Sequence, residues 1–213
     1  MEVDRLADGL WRWTAPSAEP AAGRTTRPGV AASLYHEAGA SIVLIDPLIP
    51  SGPDGERFWL HLDRDVERVG AAPVVISTLP SDPRSADAIR TRYPGAQTLA
   101  VHEAAGCTND GLLGDHQRLP GGLCVLLPAA PSPARRALIH CACHRLLWTS
   151  DLLVNDGRGG LTAAPPEWFD TDAERDWLVT ALPPLLQRIA ALDIDLAVPA
   201  HGAVTRLKRP DSR

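Results

Sequence analysis

Residues 74–101, VVISTLPSDPRSADAIRTRYPGAQTLAV, read as strand, helix, strand. The opening stretch 74–77 is short and continuously apolar, as expected for a strand covered on both faces. Residues 85–93 have helical character and stop at Pro94-Gly95. Residues 98–101 return to a strand. Upstream, Trp59, Leu62, Val66 and Val69 recur at helical spacing and predict an amphipathic helix over 56–69. Before it, strands at 30–36 and 41–45 flank Glu37-Ala38-Gly39-Ala40, a hairpin turn. Residues 10–14 alternate and place Trp11 and Trp13 on one face. Downstream, strands are predicted at 122–127, 136–141, 146–149 and 196–198, and a helix over 172–192. Pro183-Pro184 should kink that helix or split it. Stretches 102–118 and 154–170 have no clear period. The pattern predicts a layered α/β domain with sheets inside and helices outside, a single domain over residues 1–213.

The composition fits that reading. Of 213 residues, 45% are hydrophobic and 22% charged, both near the globular average. With 17 glycines and 20 prolines the chain is loop-rich. Its net charge of −5 disfavours non-specific binding to phosphate backbones, so no nucleic-acid partner is expected. Lys208 is the sole lysine, which excludes a Schiff-base or P-loop lysine within the domain. Acidic Glu2, Asp4 and Asp8 follow Met1, so no signal peptide is expected. The longest apolar runs are too short to span a bilayer, and no membrane partner is expected. Cys107, Cys124, Cys141 and Cys143 form no Cys-x-x-Cys pair. A cytoplasmic protein with reduced thiols is the resulting expectation.

Three polar residues stand just beyond short apolar strands: Asp82, Asp151 and His201. Strand ends in layered α/β domains favour functional sites, and two carboxylates with an imidazole are a plausible ligand set for zinc, manganese or iron. Each residue also has a structural reading. Asp82-Pro83 suits a helix cap followed by proline at the first helical position. Asp151 can bond backbone amides in a strand-end turn, and His201-Gly202 can be an ordinary turn. The segment His140-Cys141-Ala142-Cys143-His144 offers soft ligands, but it joins two predicted strands and reads as a hairpin turn. His140 would face away from Cys141, and five contiguous residues rarely wrap one ion. Serine at both Cys141 and Cys143 is therefore expected to change neither metal content nor activity. Cys107 and Cys124 read as small hydrophobes. Trp11 and Trp13, with Trp168-Phe169, can line an apolar pocket or simply pack in the core. The Pro-, Ala- and Gly-rich stretch 15–29, with Arg24 and Arg27, reads as a loop or flap. Ser77, Thr78, Ser81 and Ser150 lack a nucleophile-elbow motif.

Four segments resemble the metallo-β-lactamase superfamily, in order and spacing, over nearly the whole chain. Gly9-Leu10-Trp11-Arg12-Trp13 resembles the opening strand. Ile42-Val43-Leu44-Ile45-Asp46-Pro47 resembles the (V/I)LIDPG strand, Leu147-Trp148-Thr149-Ser150-Asp151-Leu152-Leu153 resembles LF(T/S)GDLL, and Ala197-Val198-Pro199-Ala200-His201-Gly202 resembles (V/L)PGHG. The resemblance implies a four-layer αββα metallo-β-lactamase-like sandwich. In active members two metals hold a hydroxide that attacks an ester, thioester, amide or phosphoester. The family's His-x-His-x-Asp-His motif falls on Thr78-Leu79-Pro80-Ser81-Asp82-Pro83, where only Asp82 matches, and a further histidine position falls on Ala130. Carried over residue by residue, the first metal position keeps Asp151 alone. The second keeps Asp82, Asp151 and His201. The leading expectation is a diverged, non-catalytic homologue without the dinuclear site, binding a small molecule or partner in the old cleft. The alternative is a mononuclear metal-dependent hydrolase using Asp82 as its catalytic residue, with Asp151 and His201. No metal is expected at full occupancy, and at most one divalent ion (zinc, manganese or iron). The resemblance also implies that Asp82, Asp151 and His201 converge at one edge, in a cleft partly covered by residues 15–29 and lined by Thr78, Pro80, Pro83 and Ala130.

Overall fold

Along residues 30–38 nearly every side chain is buried, because the two faces of this strand meet two different apolar layers. Ala32 and Leu34 point into one layer and Tyr35 into another. The same split recurs at Val43 and Ile45 against Ile42 and Leu44, and at Ile76 against Val75. The computed structural model describes residues 1–17, 28–79, 84–101, 109–128, 136–169 and 171–207.

One sheet runs in chain order: β1 (Glu2–Ala7), β2 (Leu10–Pro16), β3 (Val30–Ala38), β4 (Ser41–Ile45), β5 (Val74–Ser77), β6 (Gln97–Ala100) and β7 (Gly111–Leu112). It is antiparallel through β4 and parallel from β4 onward. The second sheet contains β8 (Arg118–Leu119), β9 (Leu123–Leu126), β10 (Leu138–Cys141), β11 (Leu146–Ser150), β14 (Leu196–Pro199) and β15 (Thr205–Arg206). Its order is β15-β14-β11-β10-β9-β8, with β11 and β14 parallel. A small hairpin joins β12 (Leu153–Asn155) to β13 (Leu161–Ala163).

The sheets face each other across a layer that includes Leu34, Val43, Ile76, Val125, Ile139, Trp148 and Val198. Helices α1 (Pro53–Val69) and α2 (Ala86–Arg92) cover the outer face of the first sheet through Leu62, Ala86 and Ile89. Helix α3 (Asp172–Ala190) covers the second through Trp177, Leu178, Ala181 and Leu185. Each buried leucine or isoleucine among these contributes roughly 1.5–3 kcal/mol by leaving water. The result is an αββα sandwich.

One expectation needs correction, and one open alternative is decided. Helix α3 is one element, starting at a Thr171/Glu174 capping box and running through Pro183 and Pro184 without a split. Both prolines stand on the exposed face, where the Val179 and Thr180 carbonyls that they leave unbonded can meet water. The Trp11/Trp13 and Trp168/Phe169 groups do not share a pocket, and Trp13, Trp168 and Phe169 pack in the core. Trp13 belongs to the layer under α1, whereas Trp168 and Phe169 pack under α3, on the other side of the sandwich.

Two hydrogen bonds draw one end of the sandwich together. Ala32 N–H donates to the Ala200 carbonyl at 2.7 Å, and the Thr78 and Ser150 hydroxyls are hydrogen-bonded to each other at 3.0 Å. The C-terminal ends of β5, β11 and β14 therefore meet at one edge, the usual place for a site in parallel α/β sheets.

Candidate functional site at the strand-end edge

Backbone strain concentrates at this edge. Asp46 (φ 46°), Arg84 (φ 48°) and Ser150 (φ 54°) all adopt left-handed backbone conformations that cost non-glycine residues energy. Asp46 is buried and sits directly after β4. Its Oδ1 accepts from the Thr78 backbone N–H at 2.7 Å, and its Oδ2 accepts from Thr78 Oγ1 and from Trp148 Nε1, the latter at 3.0 Å. Its backbone carbonyl accepts from Ser33 Oγ and from Arg84, both at 2.8 Å. Burial pushes the Asp46 carboxyl above its ordinary range, while Arg84, Thr78 and Trp148 pull it back. Thr78 thus lies inside a satisfied network that spans both sheets.

Asp151 follows β11 and is 1% exposed. Its Oδ1 accepts from Nε of Arg136 at 2.6 Å, and Arg136 is itself 3% exposed. The guanidinium also stacks 4.7 Å from the Phe169 ring centroid and lies 3.9 Å from Glu174 of α3. An ion pair this dry gains strong Coulomb attraction but carries a large desolvation cost, so neither partner tolerates loss of the other.

His201 follows β14 and is buried, with its ring edge-on to Trp168 at 5.3 Å. Its Nδ1 lies 2.9 Å from the Val30 carbonyl. A carbonyl can only accept, so Nδ1 carries the proton and Nε2 the lone pair. Next to Val30, Ser17 N–H donates to the Gly29 carbonyl at 3.0 Å.

Asp151 and His201 therefore lie one and two residues beyond a paired position, Ser150 with Pro199, on neighbouring strands. Thr78 borders the same edge. Asp82, Pro80, Pro83 and Ala130 lie outside the described residues, as do Arg24, Arg27, Ser81 and Cys107. Arg136, Asp46 and Arg84 are the residues here that reading by motif missed. Arg136 did carry a signal: a charged residue heading an otherwise apolar strand needs a buried partner.

A cavity lies elsewhere among the described residues. It has a volume of about 720 Å³ and opens between α1 and the outer face of β1–β3, with Trp11, Trp13, Tyr35, Phe58 and Arg57 in its wall. At the end of the sandwich opposite Asp151, the turn between β10 and β11 is the expected hairpin, closed by Arg145 N–H to the Ala142 carbonyl at 3.1 Å. Burial pushes the Cys141 thiol there up to about 12, which makes it a poor nucleophile. Cys124 is half-buried.

No family model matches the sequence, and no curated protein matches it either. Solved structures do. The DIM-1 metallo-β-lactamase exposed to ceftazidime superposes with a TM-score of 0.69 at 15% identity, covering 97% of this chain and 91% of that one. The metallo-β-lactamase from Pontibacter korlensis gives 0.68 at 17% identity, covering 96% and 93%. The FIM-1 enzyme from Pseudomonas aeruginosa, in its mono-zinc form, gives 0.67 at 16% identity, covering 96% and 89%. Identities this low speak to architecture alone. The order of the two sheets, the helices on their outer faces and the superposition over nearly the whole chain agree: this chain has the metallo-β-lactamase fold.

Proposed function

We propose that this chain is a non-hydrolytic protein on a metallo-β-lactamase scaffold, acting by binding rather than by metal-dependent hydrolysis. The buried Arg136–Asp151 pair carries the reading. A metal at this edge needs Asp151 as a ligand, and the carboxylate already serves a guanidinium at 2.6 Å. The other donors described here are one imidazole and a threonine hydroxyl already bonded to Asp46. Such a set does not fit two zinc ions, which are held by histidine, cysteine and carboxylate ligands. The aromatic-walled cavity under α1 has the size of a small-molecule site and supports a binding role.

A second reading has one observation in its favour. His201 presents Nε2 as its lone-pair nitrogen while the Val30 carbonyl fixes the ring, as ligating histidines commonly do. That arrangement suits a mononuclear hydrolase through Asp82, Asp151 and His201.

Hydrolysis assays separate the two. Purified protein supplied with zinc, manganese or iron is tested against chromogenic β-lactam, thioester, carboxylester and phosphodiester substrates. The binding reading predicts no turnover above the metal-only blank. Turnover that disappears in His201→Ala would establish the hydrolase instead.

A further inference from the structure

We propose that His36, Cys141 and Cys143 form a zinc site at the end of the sandwich opposite Asp151 and His201. Their ligand atoms all lie within 4.8 Å of one another. The three come from different parts of the fold. His36 is on β3 with the inward parity of Ala32 and Leu34, Cys141 ends β10 facing the same inter-sheet layer, and Cys143 lies in the hairpin turn. The ion would therefore tie one sheet to the other.

The histidine is already set for ligation. Its Nε2 lies 2.9 Å from the Gly121 carbonyl, so Nε2 carries the proton. Nδ1 is then left with the lone pair, and it is buried with no hydrogen-bond partner among the described residues. A buried unpaired acceptor is costly and calls for a ligand or water. A ring held by a backbone carbonyl through one nitrogen and presenting the other is the usual arrangement of a metal-bound histidine. Gly121 (φ 73°) makes room for it, because a Cβ there would stand 2.8 Å from the imidazole.

The sulfurs fit as well. Cys141 Sγ and Cys143 Sγ are 3.4 Å apart, far from a disulfide bond length of about 2.05 Å. Two sulfurs bound at ~2.3 Å to a tetrahedral zinc stand about 3.8 Å apart. Each thiol gives up its proton as its Zn–S bond forms, so two protons leave per ion. Two thiolates then neutralise the dication, which suits a site where His36 and Cys141 are buried. Cys143 is exposed and gives the ion access, and the His144 ring lies 5.3 Å from that of His36 between centroids. The softness of this set favours zinc over manganese or iron. The proposal predicts the opposite of the expectation that serine at both cysteines is silent toward metal, because it takes its third ligand from the other sheet.

The test is anaerobic titration of the reduced, metal-free full chain with cobalt(II), followed by zinc. The expected result is one equivalent of cobalt, a sulfur-to-cobalt charge-transfer band in the near ultraviolet, release of two protons, and loss of the band on adding zinc. Cys143→Ser, at an exposed turn position, should abolish the band with unfolding unchanged. His36→Gln should weaken binding by about tenfold or more, and His201→Ala should leave the band intact. Absence of the band with all thiols reduced would overturn the proposal, as would a band indifferent to Cys143→Ser or lost in His201→Ala. A protein that takes up no metal but readily forms a Cys141–Cys143 disulfide would identify a redox pair instead.

Discussion

Replacing Arg136 by methionine is expected to lower the free energy of unfolding by about 3–5 kcal/mol at neutral pH, because it strands the Asp151 carboxylate in a dry site. The carboxylate is 1% exposed and loses its 2.6 Å partner, while Phe169 loses the cation stacked on its face. Urea denaturation of the wild type and the variant measures the loss. The paired change Arg136→Met with Asp151→Leu should recover most of it, since removing both charges also removes the desolvation cost. A single-variant loss below about 1 kcal/mol would mean that the pair behaves as a surface ion pair and that Asp151 remains available to other partners.

The second large effect is at Asp46. Alanine there leaves the Thr78 amide buried without its acceptor, at roughly 1–3 kcal/mol, and leaves the Trp148 indole N–H only its longer 3.3 Å bond to Thr78 Oγ1. Thr78 Oγ1 keeps Ser150 as a partner, so the total expected is about 1–4 kcal/mol. The pH dependence has a defined sign. Burial raises the folded pKa of Asp46 above its unfolded value of about 3.9. Its contribution to stability is then fully present below about pH 4 and declines as pH rises through the folded value. The stability difference between wild type and Asp46→Asn, followed by urea denaturation upward from pH 4, should therefore shift against the wild type. A shift in the opposite direction would show that the hydrogen bonds, and not burial, dominate at this carboxylate.

Much of the fold was legible because its strands are short, apolar and punctuated. Residues 41–45 and 74–77 were read at their observed bounds, and 196–198 fell one residue short of β14. The helix over 56–69 was found from its apolar face and extends one turn earlier, from Pro53. Strand β1 was not found, since Glu2, Asp4 and Arg5 interrupt its apolar residues and none of Glu2–Ala7 is fully buried at this sheet edge. Strands β12 and β13 were hidden for a similar reason: they are three residues each in a glycine-rich stretch.

The site was harder to read because its chemistry depends on pairings across the sandwich. Asp151 and His201 could be placed at strand ends from their sequence positions, but nothing local to Asp151 announces Arg136 as its partner. Trp148 could be read as core, yet its indole N–H reaching Asp46 requires both sheets to be in place. His36 is the clearest case. Its strand was recognised, and the parity of Ala32, Leu34 and His36 already points an imidazole into an apolar layer. Its neighbours Cys141 and Cys143 lie on the other sheet, so only the folded chain brings the three together.

The most direct test of the claim that Asp151 is held by a protein cation and not by metal is diffraction at the zinc absorption edge, from crystals grown with excess zinc. Anomalous difference maps locate every bound zinc without reference to the sequence. The account predicts no peak within ligation distance of Asp151 Oδ atoms or His201 Nε2, with Arg136 still paired to the carboxylate. One or two strong zinc peaks bridging Asp151 and His201, with Arg136 displaced, would contradict it.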